Sequence, residues 1–130
     1  MGRSVCRNDR GFTLIEVLVA MVVLALGFLG AVGAMIGAVD ANLQNALRNE
    51  GVKLAQERLE VLRNGAYAAI VDDSFSAKRQ VRKNTLWDFQ VEQEVSNGTY
   101  LKVVEISVSW SYKNRNHRHQ TMTVVHQPLS

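Results

Sequence analysis

Residues 10–20 read RGFTLIEVLVA, and from Phe12 to Val39 the chain carries one ionisable side chain, Glu16, before the next arrives at Asp40. As a helix this run would rise ~42 Å at ~1.5 Å per residue, more than the ~30 Å hydrocarbon core of a bilayer. It therefore predicts a membrane-spanning helix. A cleaved secretory signal is the competing possibility, with Val39-Asp40-Ala41 offering small residues to a signal peptidase. The apolar core of such a signal is about 7 to 15 residues, roughly half this run, so the anchor is favoured. Arg3, Arg7 and Arg10 lie on its N-terminal side. The positive-inside rule then holds the N-terminus in the cytoplasm and delivers the C-terminal part outside.

Glu16 is the anomaly. A carboxylate inside an anchor costs a few kcal/mol near the bilayer centre and needs a partner or water even near the interface, yet the run holds no Lys, Arg or His to pair it. An intermolecular partner is the simplest solution. Cutting the chain before Phe12 would free an α-amine, a cation that Glu16 of another copy or subunit could neutralise.

The stretch Gly11-Phe12-Thr13-Leu14-Ile15-Glu16-Val17-Leu18-Val19 closely resembles the class III signal of type IV prepilins and pseudopilins. The resemblance implies that prepilin peptidase removes the basic leader after Gly11 and methylates the new N-terminal amine, so that Phe12 becomes N-methylphenylalanine. It further implies that Glu16, at the fifth mature position, sets registration with the N-terminal amine of a neighbouring subunit. The continuation LVAMVVLALGFLGAVGAM resembles, more loosely, the anchors of PilV-like minor pilins, also called type IV pilus modification proteins. The partners implied are prepilin peptidase, other minor and major pilins, and the inner-membrane assembly platform with its cytoplasmic ATPase. The implied location is the inner membrane, single-pass with a periplasmic C-terminal domain, and then the pilus at the cell surface. An I-type minor pseudopilin of type II secretion and a DNA-uptake (competence) pilin are the alternatives.

At 130 residues the chain has room for about one domain, and its apolar third leaves only a small soluble core. Of the net charge of +3, the first eleven residues hold +2, so the basic balance says little about nucleic acid. Cys6 is the single cysteine, which rules out an intrachain disulfide and a thiolate zinc cluster. Many pilins close a C-terminal loop with a disulfide; here hydrogen bonds and packing must serve.

No proline precedes Pro128, so one helix can run from about Thr13 to Asn64, with Gly65 placed as its C-cap. Gly27, Gly30, Gly33 and Gly37 lie within it, the last two at GxxxG spacing, and favour close packing in a membrane or local melting in a filament. Beyond Val39, Leu43, Leu47, Leu54 and Val61 form one apolar stripe, and Val52, Ala55, Leu59 and Leu62 a second beside it. Two stripes could serve two partners or one core. Residues 66–85 lack a clean period and predict a connecting loop, with room for a helical turn. Alternation over Trp87–Val95 and Val104–Trp110, the Asn97-Gly98 turn signal and Thr121–Val125 predict a three-stranded antiparallel meander.

The expected organisation is a leader over 1–11, a transmembrane and assembly half of the helix over 12–39, an amphipathic half over 40–64, and a loop and sheet over 65–130. This is the α+β ladle that the resemblance implies, a long N-terminal helix on a small antiparallel sheet. No nucleophile motif or phosphate-binding glycine loop points to an enzyme, and neither a catalytic residue nor a cofactor is expected. His117 and His119 without a nearby carboxylate or cysteine make a poor metal site, and Asp72-Asp73 lacks calcium-loop spacing. The cluster Lys78, Arg79, Arg82 and Lys83 could touch DNA, but without interleaved aromatics a solvated face or subunit contact is favoured.

Overall fold

The computed structural model describes residues 11–83 and 85–127; the leader arginines, Cys6 and Pro128 lie outside them. Helix α1 spans Leu14–Asn64, and the chain divides into two units that meet between Asp40 and Ala41. The first unit is the apolar half of α1. Its large side chains are exposed, Leu24 and Phe28 for example, and by length and composition the helix could cross a membrane. The helix is unbroken through Gly27, Gly30, Gly33 and Gly37.

The second unit packs the remainder of α1 on four antiparallel strands in the order β1 (Asp73–Arg82), β2 (Thr85–Asn97), β3 (Leu101–Tyr112) and β4 (Arg115–His126). This is the α+β, pilin-like arrangement of helix on sheet. Strand alternation turns Phe89 and Val91 from β2, and Val104, Ile106, Val108, Trp110 and Tyr112 from β3, onto the helix. From α1 come Leu47, Leu54, Ala55 and Leu62, all buried in the same core. The two stripes thus largely feed one core, with Leu43 and Leu59 at its margin, while Val61 is 60% exposed.

Residues 66–85 are not a plain loop. A 3-10 turn at Tyr67–Ala69 is followed by the ten-residue β1, whose inward positions Ala77, Arg79 and Val81 alternate with exposed neighbours. The sheet has four strands rather than about three, and the Arg79 cation at an inward position is what masks the alternation of β1 in the sequence. Glu57 of the helix meets it in an ion pair. β4 also begins earlier than Thr121: Arg115, Asn116, His117 and Arg118 pair with β3 at the edge of the sheet, where one side of the ladder faces solvent and polar residues are tolerated.

The turns differ from expectation in kind. Asn97 ends β2, and the connection to Leu101 is closed by the Gly98 N–H donating to the Leu101 carbonyl at 2.8 Å. The two-residue turn with both φ positive lies between β3 and β4, at Lys113 (φ 48) and Asn114 (φ 62), within the polar Lys113-Asn114-Arg115-Asn116 stretch that suits a turn. That is the φ signature of a type I′ hairpin, whose twist matches the flanking strands.

Polar side chains stitch the sheet to the helix. Arg58 donates to the Gln93 side-chain carbonyl at 2.9 Å and to the Asp73 carboxylate at 2.6 Å, and its guanidinium lies 5.2 Å from the centre of the Phe75 ring. Gln93, itself buried, donates onward to the Val71 carbonyl. Lys102 donates to the carbonyls of Tyr67 and Ile70 at 3.1 and 2.8 Å, fastening the turn after α1.

Candidate functional site

Gly11, Phe12 and Thr13 precede the helix, and Thr13 starts it. Its carbonyl accepts the N–H groups of Glu16 (3.0 Å) and Val17 (3.2 Å), while its hydroxyl accepts the Glu16 N–H at 3.3 Å. These are backbone donors that no residue inside the helix could satisfy. Glu16 is therefore in the first turn, where the positive end of the helix dipole favours a carboxylate by about 0.3–1 kcal/mol. Thr13-Leu14-Ile15-Glu16 has the Thr-x-x-Glu spacing of a capping box, a signal legible in the sequence and passed over above.

Phe12 and Glu16, four positions apart, line one open depression of about 420 Å³ on the helix surface together with Val17, Ala20, Met21 and Leu24. Phe12 is 83% exposed and Leu14 equally so. A carboxylate beside exposed apolar surface can receive a cation and an apolar flank from another chain.

The other candidate residues are dispersed. Lys78 faces Asp88 across the sheet at 4.0 Å, whereas Arg79 points to the opposite face and pairs with Glu57, so these cations do not form one patch. Asp73 is held by Arg58, and Asp72 accepts the Val95 N–H at 2.7 Å. Both acids are structural. His117 and His119 share the inward face of β4, and His117 stacks on Trp110 with ring centres 5.8 Å apart. Among the described residues no group of three or more His, Cys, Asp or Glu side chains is placed to hold a metal.

Residues 6–32 match the family model described as the prokaryotic N-terminal methylation motif. The N-terminal segment is similar to that of type IV prepilins. The match contains Gly11, Phe12, Thr13 and Glu16 and ends within the apolar half of α1. No curated protein and no solved structure matches the chain. Prepilin-like proteins bearing this motif are structural subunits rather than enzymes, which supports a pilin-like or pseudopilin role with membrane anchoring through α1.

Gly51 was missed by sequence reasoning. A Cβ there would lie 2.8 Å from Cζ3 of Trp110, so the missing side chain is what lets the indole seat against the helix. Periodicity carries no signal for it, because the requirement comes from a residue on another element.

Proposed function

We propose that the chain is a PilV-like minor pilin of a type IV pilus. Prepilin peptidase cleaves it after Gly11 and methylates Phe12, and the 1–11 leader is lost. Residues 12–39 anchor it in the inner membrane with the N-terminus cytoplasmic and residues 65–130 periplasmic. It then joins or primes the pilus with other minor and major pilins, in support of twitching motility and adhesion. Within the filament, Glu16 registers against the N-terminal amine of a neighbouring subunit.

The observation that carries this reading is the pairing of Phe12 and Glu16 on one face at the start of a long exposed apolar helix. Mass spectrometry of the mature protein tests it: the chain should begin at methylated Phe12. An N-terminus near residue 42 would restore the ordinary signal peptide and sink the proposal. The I-type pseudopilin shares processing and fold, and deletion separates the two: loss of pili supports the pilin, loss of secretion with pili intact the pseudopilin.

A further inference from the structure

The second unit contains a cleft of about 360 Å³ between the Asn45–Arg48 turn of α1 and strands β3 and β4. Arg48, His117, Arg118 and His119 contribute to its wall, and among the described residues no carboxylate does. Its volume lies in the range of about 300–1,000 Å³ typical of small-ligand sites. Among the described residues neither Arg48 nor His119 is engaged by an ion pair, whereas Arg118 is partly committed to Glu92 at 3.3 Å. The Trp110 ring stacks on His117 with only 14° between planes, which fixes the imidazole at the cleft wall. Arginine and histidine donors therefore line one concavity whose wall carries no competing negative charge.

We propose that this cleft binds a phosphate-bearing anion, supplied by the headgroup of an anionic membrane lipid. Arginine presents a planar fork of donors that matches two phosphate oxygens at once, and imidazole N–H groups can engage a third. The choice of source rests on the membrane-anchoring reading. Arg48 follows Val39 by nine residues, so even a fully extended chain could carry it no more than about 30 Å from the end of the apolar run. Anionic headgroups concentrate at a membrane surface and attract nearby basic side chains, whereas free phosphate shares the chemistry without the proximity.

The test uses the full chain in neutral detergent micelles carrying Trp87→Phe, so that fluorescence reports Trp110 at the cleft. It is titrated with inorganic phosphate, with phosphatidylglycerol and with phosphatidylcholine. Saturable binding of phosphate and phosphatidylglycerol is expected, weakened at least tenfold by Arg48→Gln with His119→Gln and unchanged by Lys78→Gln with Arg82→Gln at the other sheet edge. Arg48→Gln alone, at an exposed helix position, should weaken binding at least threefold with an unchanged circular dichroism spectrum. Absence of saturable binding, or equal loss in the two double variants, would overturn the site. Phosphate binding without preference for phosphatidylglycerol over phosphatidylcholine would overturn the lipid source. Alkaline extraction of cell membranes separates this from the anchoring reading: release of the chain into the supernatant defeats the anchor whatever the titration gives.

Discussion

Under the proposed function Glu16 would have two physical roles, one within the chain and one between chains, and they make different demands on the side chain. Starting a helix asks for a hydrogen-bonding group three residues after Thr13, which glutamine can supply; neutralising an amine asks for charge. Glu16→Gln should therefore leave cleavage and helix content intact yet impair incorporation into pili, and Glu16→Ala should likewise leave cleavage intact and impair incorporation. Normal incorporation of Glu16→Gln, read by immunoblotting sheared pili, would reduce the residue to a helix-starting role. Gly51 makes the opposite demand, for no side chain at all. Gly51→Ala gains about 1 kcal/mol of helix propensity but forces the Trp110 ring to move, an overpacking cost of about 1–3 kcal/mol. The net expectation is a loss of up to about 2 kcal/mol in denaturant unfolding, larger for Gly51→Leu. Arg58→Ala strands the Gln93 carbonyl and Asp73 together and should cost about 2–3 kcal/mol, with little rescue by Lys, which lacks the fork that reaches both.

At the scale of elements, the parts legible from sequence were those whose signal is local. The apolar run, the alternation in β2 and β3 and the proline-free path to Asn64 are each read from neighbours along the chain, and the structure has helix and strands there. β1 was hidden because Arg79 stands where an apolar residue would mark the inward face, and only the fold shows that Glu57 is waiting for it. The early part of β4 was hidden because edge strands tolerate polar residues that otherwise signal a turn. In the candidate site, Gly11, Phe12 and Glu16 stood out by motif, whereas the Thr13 cap was equally local and was overlooked. The hairpin at Lys113-Asn114 offers a test at this scale. Both positions have φ above zero, which glycine adopts freely and lysine does not. Replacing the pair by Asn-Gly should raise stability by about 1 kcal/mol, measured as an increased denaturation midpoint with an unchanged slope.

At the scale of the whole molecule, the buried apolar residues among those described belong to the second unit, from Leu47 to Tyr112, and the described apolar half of α1 contributes none to that core. A fragment comprising residues 41–130 should consequently be soluble, folded and cooperative in thermal melts, with a spectrum of mixed helix and sheet; a non-cooperative melt would show that the first unit supplies stability the core does not. The strand order β1-β2-β3-β4 has a consequence for biogenesis. Each strand pairs with the one synthesised just before it, and the helix that receives the sheet is made earlier than any of them. Nothing emerging from the ribosome or translocon has to wait for a distant segment, and contacts close in sequence close quickly. The exposed interval in which an unpaired strand edge could join a neighbouring nascent copy is therefore short, a useful property for a subunit synthesised beside others of its kind.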